Sequence, residues 1–306
     1  MWPFSLPYQF ATMLRRFYLQ TFQQQHFEVP VIVVGNLSVG GVGKTPLVAA
    51  LVKEFQSKGL RVAVISRGYG ASITSFPHEV SPENSAKEVG DEPVLLARKL
   101  SCPVVIAPKR VEAIRYLLKK YQTDIIISDD GLQHYRMGRA IEIVVIDGIR
   151  GLGNGFCLPA GPLRERASRL KKADLVVVNG GHWPEAHTMT IQPGSVQNLV
   201  SGNMISADLL EMPIAAVAGI GHPARFFTTL KEQGIICRHY PFPDHFQFKA
   251  KDLSFSEKVV IMTEKDAVKC RSFAADNWYF LPVEARLAPA FWQALWSNKH
   301  LKGYQK

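Results

Sequence analysis

Short apolar runs alternate with amphipathic helical stretches along most of this 306-residue chain. Each run is rich in valine and isoleucine, has the length of a strand and is followed by turn residues. Uninterrupted runs of this kind are typical of parallel strands that are buried on both faces. The predicted strands are 29–35, 61–66, 102–107, 124–128, 141–147 and 174–179, and the predicted helices include 46–58, 92–100 and 110–120. The pattern predicts a doubly wound α/β fold with a mostly parallel sheet.

The alternation is interrupted by a less regular zone at 181–210 and then restarts. Apolar runs at 213–221 and 258–263 each lead into a helical pattern. We therefore expect a second, smaller α/β lobe, with the seam between the lobes near 170–180. The expected segments are an N-terminal amphipathic helix in 1–28, a first α/β core in 29–172 and a C-terminal α/β lobe in 173–306.

The beginning of the chain combines many apolar and aromatic side chains with two adjacent arginines, Arg15 and Arg16. The apolar residues are Trp2, Phe4, Tyr8, Phe10, Met13, Leu14, Phe17, Tyr18 and Phe22. A helix of this composition can lie in a membrane interface or can pack on its own domain, and both interpretations stay open. We expect no export and no membrane-spanning segment, because there is no secretory-signal pattern and no apolar run of ~18 residues.

The chain is basic, with 36 Lys and Arg against 26 Asp and Glu and a formal net charge of +10. This charge favours an anionic partner, which could be nucleic acid, an acidic membrane face or a phosphorylated substrate. The 4 cysteines are far apart and form no C-x-x-C pair, which indicates a reduced cytoplasmic chain rather than a disulfide or metal scaffold.

The stretch SVGGVGKT at 38–45 lies between a predicted strand and a predicted helix, as a phosphate-binding loop does. Its first residue is Ser38, where the usual pattern has glycine. In such loops backbone N–H groups turn toward the phosphates, the lysine reaches the outer phosphates and the threonine can hold Mg²⁺. The expected nucleotide-binding residues are Ser38, Val39, Gly40, Gly41, Val42, Gly43, Lys44 and Thr45.

Two adjacent carboxylates, Asp129 and Asp130, follow the strand predicted at 124–128. Carboxylates at the end of a strand beside a phosphate-binding loop are expected on the metal side of the nucleotide, together with Thr45. One of the two can instead cap the turn before Gly131.

Three further polar positions each allow a catalytic and a structural interpretation. Asp91 in VGDEP is either a helix N-cap or a catalytic carboxylate, and His245 in PFPDHFQF is a lone histidine of the kind that is often structural. TEKDAVK at 263–269 resembles the guanine-reading Asn/Thr-Lys-x-Asp motif only weakly, because its lysine is third rather than second and because Thr263 with Asp266 also fits a capping box.

Basic residues recur where strands are predicted to end. Arg67 with Tyr69 follows one strand, Arg110 follows another, and Arg164 lies in GPLRERASRL. Ligands bind at the carboxyl edge of doubly wound sheets, so these side chains could clamp an anionic group, although Arg164 could also lie on a solvated helix face.

Taken together and in this order, the motifs resemble the tetraacyldisaccharide 4'-kinase family, the lipid A 4'-kinases of Gram-negative bacteria. The matching stretches are VGNLSVGGVGKTP, SRGYG, VGDEP, SDDGLQH, GPLRE, AGIGHPARFF, DH and MTEKDAVKC. The resemblance implies a P-loop NTPase-like kinase core in 29–172. It implies transfer of the γ-phosphate of ATP to the 4'-hydroxyl of a tetraacylated glucosamine disaccharide 1-phosphate, with Mg²⁺, by a peripheral protein on the cytoplasmic face of the inner membrane.

The resemblance also implies roles for individual residues. Asp91 would draw the proton from the sugar hydroxyl with His245 as its dyad partner, and Lys44 would serve ATP in catalysis. Thr45, Asp129 and Asp130 would serve the metal. The residues that would line the substrate side are Arg67, Tyr69, Arg110, Gln133, His134, Arg164 and Glu165.

Two other classes of ATPase compete with this interpretation. A P-loop switch or metallochaperone-type ATPase commonly has a lysine directly before the two glycines, where this chain has Val39, and the chain has no cysteine pair for a metal cargo. A nucleic-acid-dependent ATPase would use the basic charge differently, but no recognised nucleic-acid motif occurs, so we expect no nucleic-acid partner.

Overall fold

A computed structural model describes residues 2–304 of the chain, with side chains from residue 4 onward. The side chain of Trp2 and the ends of the expected segments at residues 1 and 305–306 lie outside the described residues. The helices are α1 (Trp2–Phe22), α2 (Lys44–Ser57), α3 (Ala86–Val89), α4 (Asp91–Lys99), α5 (Arg110–Lys120), α6 (Pro223–Glu232), α7 (Glu264–Cys270) and α8 (Pro289–Ser297). Short 3₁₀ helices lie at Ala167–Lys172, Ala207–Leu209, Ala250–Leu253, Arg271–Phe273 and Lys302–Tyr304.

The strands lie in two sheets. They are β1 (Val31–Gly35), β2 (Val62–Ser66), β3 (His78–Glu79), β4 (Val104–Ile106), β5 (Ile125–Asp129), β6 (Ile141–Asp147), β7 (Leu175–Asn179), β8 (His187–Pro193), β9 (Val196–Asn198), β10 (Met204–Ile205), β11 (Ile214–Ala218), β12 (Arg238–Pro241), β13 (Val259–Thr263), β14 (Trp278–Leu281) and β15 (Val283–Leu287).

The first sheet has the order β15-β8-β7-β6-β1-β5-β2-β4-β3 and is parallel from β8 to β4. Its two outer pairs, β15 with β8 and β3 with β4, are antiparallel. β1 lies between β6 and β5, so the loop after β1 and the carboxylates after β5 meet at the same edge. The prediction of a doubly wound, mostly parallel sheet is confirmed.

The second sheet has the order β10-β9-β14-β13-β11-β12. The chain passes between the sheets twice, after β8 and after β14, and the two crossings are joined by a hydrogen bond from the Gly194 N–H to the Pro282 carbonyl at 2.9 Å. β7, β8 and β15 pair in the first sheet. The expected C-terminal segment 173–306 therefore contains strands of both sheets, since β7 and β8 extend the first sheet beyond β6 before the chain leaves it.

The central strands of the first sheet are buried on both faces. All five residues of β1 are buried, and α2 covers one face with Leu47, Leu51 and Phe55, each of which is fully buried. Burial of one such side chain stabilises the fold by about 1.5–3 kcal/mol. The C-terminal helix α8 returns to the same core through Phe291, which explains why the end of the chain belongs to the first sheet.

Helix α1 packs on its own domain with one face and leaves an apolar face exposed on the other, so it has features of both arrangements that its composition allowed. One face docks on the first lobe, where Tyr8 donates a hydrogen bond to the Arg164 carbonyl at 3.3 Å and Arg16 lies 3.8 Å from Glu165. The other face leaves large apolar side chains exposed, namely Phe4, Leu6, Phe10, Met13, Leu14, Phe17, Tyr18 and Phe22. Among the described helices, none has the length and apolarity that would let it cross a membrane.

Candidate active site

The predicted phosphate-binding loop, residues 38–45, joins β1 to α2 and is shaped by two glycines with left-handed backbone conformation. Gly40 has φ 94° and Gly43 has φ 91°. A Cβ atom on Gly43 would lie 2.5 Å from the side-chain nitrogen of Asn179, which donates to the Val42 carbonyl at 3.0 Å. The backbone can therefore follow this path only with glycine at position 43.

The buried side chain of Asn36 stabilises the loop through hydrogen bonds to two of its residues. Its Nδ2 donates to the carbonyl of Ser38 at 2.5 Å, and its Oδ1 accepts a hydrogen bond from Lys44 Nζ at 3.0 Å. The open N-terminus of α2 and the Lys44 ammonium thus face the same space, which is an arrangement that suits the phosphates of a nucleotide. Asn36 belongs to the stretch VGNLSVGGVGKTP, but the sequence pattern predicted no role for this residue.

One large cleft of about 1240 Å³ collects most of the expected residues. Val39 through Thr45 line it, and so do side chains of the second sheet and of α1. Ser38 does not line the cleft; its backbone instead pairs with Leu163. The loop after β11 also comes close, because a Cβ atom on Gly221 would lie 3.4 Å from the backbone nitrogen of Gly41. The cleft is therefore formed by both lobes.

Asp129 ends β5 as a buried carboxylate with unusual surroundings. Neither of its carboxylate oxygens has a hydrogen-bond partner among the described residues. Burial raises the pKa of Asp129, and the nearby charge of Glu92 raises it further. A buried, unpaired carboxylate is unfavourable unless a cation neutralises it. Its surroundings therefore fit a divalent cation.

Asp130 is the paired member of the two carboxylates. It lies 3.4 Å from Lys44 Nζ and 3.2 Å from an Arg164 nitrogen. Burial acts to raise its pKa, but the charges of Lys44 and Arg164 outweigh burial, so the pKa of Asp130 lies below its usual range. Its backbone has φ 47°, which is uncommon outside glycine and is often found at functional sites.

Oxygen ligands of this kind suit Mg²⁺, with Thr45 in the first turn of α2 as a third candidate. The part of the chain that the structure describes contains no cluster of three or more His, Cys, Asp or Glu residues arranged to hold a metal. Mg²⁺ takes few protein ligands and completes its shell with phosphates and water.

The second pair of interest joins the two lobes. Asp91 is the first residue of α4, and its Oδ2 lies 3.0 Å from Nδ1 of His245, which is 154 positions away in the chain. The N-cap position belongs to Gly90, so Asp91 does not act as the N-cap that its sequence context allowed. His245 has φ 58° in the loop after β12, a second uncommon backbone conformation among the described residues of the cleft.

The Asp91–His245 contact shifts both side chains toward their charged forms. For Asp91, burial acts to raise the pKa, but the hydrogen bond with His245 and the charge of Lys265 outweigh it and the pKa lies below its usual range. The hydrogen bond with Asp91 raises the pKa of His245. Asp91 is therefore ionised at neutral pH and can accept a proton.

The expected substrate-side residues divide into two groups. Arg67, Tyr69, Gln133, Arg164 and Glu165 line the cleft. The Tyr69 ring lies 5.6 Å from the His245 ring between centroids, and Gln133 donates to Glu165 at 3.0 Å.

Arg110 and His134 lie outside the cleft, in a neighbouring pocket of about 400 Å³. Arg110 is 1% exposed and donates to the carbonyls of Ala107 and Asp129, so it supports the ends of two strands from within. Burial lowers the pKa of His134 to about 3, and the charges of nearby arginines act in the same direction, which keeps this imidazole neutral. Their roles toward a substrate remain a prediction.

Several cleft residues were missed by sequence reasoning, and their motifs carried a usable signal. Lys265 belongs to MTEKDAVKC and Arg225 to AGIGHPARFF. In MTEKDAVKC, the side chain of Thr263 accepts a hydrogen bond from the Asp266 N–H at 3.1 Å and so caps the N-terminus of α7. Arg225 lines the cleft 3.7 Å from Asp147, a buried carboxylate at the end of β6.

Comparisons with known proteins agree with this geometry. The profile of the family described as tetraacyldisaccharide-1-P 4'-kinase matches residues 1–300. A protein of Legionella pneumophila (strain Corby) named tetraacyldisaccharide 4'-kinase is 58% identical over 302 residues, which is 99% of this chain and 94% of that protein. A protein of the same name from Alcanivorax borkumensis is 48% identical over 275 residues, covering 88% of this chain and 84% of the relative.

A solved structure is similar over nearly the whole chain. The crystal structure of LpxK from Aquifex aeolicus in complex with ATP superposes with a TM-score of 0.80 at 28% sequence identity. The similarity covers 99% of this chain and 97% of that one.

Proposed function

This chain belongs to the tetraacyldisaccharide-1-P 4'-kinase family, and we propose that it transfers the γ-phosphate of ATP to the 4'-hydroxyl of a tetraacylated glucosamine disaccharide 1-phosphate, a step of lipid A biosynthesis. It is an ATP-dependent phosphotransferase with an alcohol group as acceptor. The observation that carries the proposal is that Lys44 and the Asp91–His245 pair line a single cleft.

In this mechanism the loop from Gly40 to Thr45 holds the phosphates of ATP, and Lys44 neutralises charge on the outer ones. Thr45, Asp129 and Asp130 would hold Mg²⁺, which would supply further neutralisation of charge on the phosphates. Asp91 takes the proton of the 4'-hydroxyl. The sugar oxygen then forms a bond to the γ-phosphorus while the bond between that phosphorus and the ADP oxygen breaks.

The reaction needs little covalent help from the protein. It needs phosphates held in place, charge neutralised and the hydroxyl aligned, with a carboxylate near enough to accept its proton. His245 keeps Asp91 oriented by their 3.0 Å hydrogen bond. Arg67, Tyr69 and Arg164 line the same cleft and are the candidate residues for the anionic sugar.

The exposed face of α1 supports a peripheral location on the cytoplasmic face of the inner membrane. Phe4, Phe10, Phe17 and Phe22 are each more than half exposed, with Arg15 and Arg16 on the same helix. Aromatic side chains with adjacent cations bind the interface of an anionic leaflet. The net charge of +10 acts in the same direction. A substrate with four acyl chains would be reached from that surface.

A direct assay tests the proposal. The protein is incubated with labelled ATP, Mg²⁺ and the tetraacyl disaccharide 1-phosphate in detergent micelles, and we expect label in the lipid. The matched control is the same disaccharide without its 4'-hydroxyl, which should receive none. Label found only as free phosphate would contradict the kinase function and would support the switch-type ATPase instead, which is not favoured because Val39 stands where that class has lysine.

A further inference from the structure

Lys265 is the second residue of α7, and its ammonium group lies among the side chains around Asp91. Its Nζ lies 3.7 Å from Asp91 Oδ2 and 3.4 Å from His245 Nε2. It is also 3.1 Å from Glu92 Oε1 and 3.9 Å from Asp244 Oδ1. The side chain is only 19% exposed. One largely buried cation therefore approaches both members of the Asp91–His245 pair.

The position of this cation favours the same tautomer of a neutral His245 as the ionised Asp91 carboxylate does. An ammonium group donates hydrogen bonds and accepts none, so Nε2 must act as the acceptor toward Lys265. The single proton of the neutral imidazole then lies on Nδ1, where it is donated to Asp91. Hydrogen bonding at one ring nitrogen fixes the state of the other.

We propose that Lys265 is a positioning residue that keeps the proton of His245 on Nδ1, so that the imidazole always presents a donor to the Asp91 carboxylate. The proposal rests on the proposed function, in which Asp91 receives the proton of the attacking hydroxyl. Without Lys265, only Asp91 would favour the proton on Nδ1, so the fraction of neutral rings protonated on Nε2, in which the Nδ1 lone pair repels the carboxylate, would rise. Asp91 would then lose the donor that orients it.

The charged groups that interact with Lys265, with Asp91 or within the α4–α7 contact come from three elements. They are Asp91, Glu92 and Lys99 on α4, Asp244 and His245 in the loop after β12, and Glu264 and Lys269 on α7 itself. Lys99 is already engaged by Glu264 at 2.8 Å. The charge of Lys265 acts to lower the pKa of both Asp91 and His245. Removal of this charge should therefore raise both pKa values.

The first measurement is kinetic and uses the full-length protein. Lys265→Met should lower kcat about 10-fold to 100-fold, as loss of a partner that orients a ligating histidine does elsewhere, and should leave the KM for ATP nearly unchanged. The acid limb of the kcat/KM profile should move up by about one pH unit, because Asp91 then needs a higher pH to ionise. Lys265→Arg should restore much of kcat, since a guanidinium group also only donates.

Lys99→Met is the matched control. Lys99 also joins α4 to the second lobe, through Glu264 and the Val283 carbonyl, but it has no contact with Asp91 or His245 among the described residues. Its loss should leave the acid limb in place. Equal movement of the acid limb in both variants would mean that Lys265 acts only by joining the lobes, and would overturn the proposal.

The second measurement needs no turnover. In protein labelled with ¹⁵N-histidine, the His245 resonances are assigned with His245→Gln, and the neutral ring should show the Nδ1–H tautomer. Lys265→Met should shift the tautomer toward Nε2–H and raise the pH at which the ring titrates. A wild-type ring protonated on Nε2 would refute the proposal, even if Lys265→Met failed to fold.

The two readouts separate this proposal from the proposed function. Wild-type protein that transfers no phosphate to the lipid would refute the function, while the tautomer of His245 would still decide the role of Lys265. Wild-type transfer combined with an unmoved acid limb in Lys265→Met would refute the role of Lys265 alone.

Discussion

Gly43→Ala, in the phosphate-binding loop, should destabilise the protein more than alanine does at a glycine whose added Cβ atom would meet no neighbour. Alanine at φ 91° carries a left-handed strain of about 1–2 kcal/mol. Its Cβ atom would lie 2.5 Å from the side-chain nitrogen of Asn179, which is buried and donates to Val42. Displacing that donor leaves a buried polar group unpaired, at a further cost of about 1–3 kcal/mol.

Gly59→Ala separates these two contributions. Gly59 also has a positive φ, 75°, but its added Cβ atom would meet nothing within 4 Å. It should therefore show the strain alone, and Gly43→Ala should be less stable than Gly59→Ala by the ~1–3 kcal/mol assigned to Asn179.

The assay is thermal unfolding without nucleotide, followed by calorimetric titration of ATP with Mg²⁺. Gly43→Ala should have the lower Tm and should bind ATP at least about 10-fold more weakly, because the first turn of α2 must shift. Gly59→Ala should retain the wild-type Kd. Equal destabilisation of the two variants, or unchanged ATP affinity in Gly43→Ala, would refute the reasoning.

Three further predictions concern catalysis, the metal side and the membrane. Asp91→Asn should lower kcat by about 10²–10⁴-fold with little change in the KM for ATP in steady-state assays, and a kcat within about twofold of wild type would remove Asp91 as the proton acceptor. Asp129→Asn should raise the Tm of the Mg²⁺-free protein at pH 7, because the folded pKa of Asp129 is raised and its ionisation destabilises the fold as pH rises above the unfolded value. The gain should fade below about pH 4 in a Tm series, and a lower Tm at pH 7 would contradict the reasoning. Replacing Phe10 and Phe17 together by Glu should reduce sedimentation with anionic vesicles, whereas Ile236→Glu, at a residue that is 77% exposed elsewhere, should not.

The strongest sequence signals were local, and those for the fold are confirmed by the structure. The strand before SVGGVGKT is β1 and the helix after it is α2, because a valine-rich run and an amphipathic run each determine their own element. The zone at 181–210 looked irregular because β9 and β10 are short, and because β8, although seven residues long, alternates exposed and more buried positions and so has no uninterrupted apolar run.

The roles of the expected site residues stay predictions. Their placement shows that the sequence could predict the sheet edge at which a residue lies but not the direction of its side chain. Adjacent or motif-bound residues such as Asp129 and Asp130 could be assigned to one edge of the sheet, because parallel strands end on the same side. Arg110 looked like an anion ligand at a strand end, yet its side chain turns inward to the carbonyls of Ala107 and Asp129. The direction of a long side chain is decided by neighbours that a single sequence does not reveal.

By itself the sequence predicted the α/β class, the phosphate-binding loop and the family, since the class and the loop depend on residues close together in the chain and the family on a series of short motifs in a fixed order. The family resemblance implied that Asp91 and His245, 154 positions apart, form a pair, but only the tertiary structure shows their hydrogen bond and the approach of Lys265 to both. The physical reason is that local patterns select helices and strands, whereas contacts between lobes depend on sheet order and on the path of the chain between the sheets. Here that path runs through Gly194 and Pro282, and it brings loops of the second sheet to the edge where α4 begins.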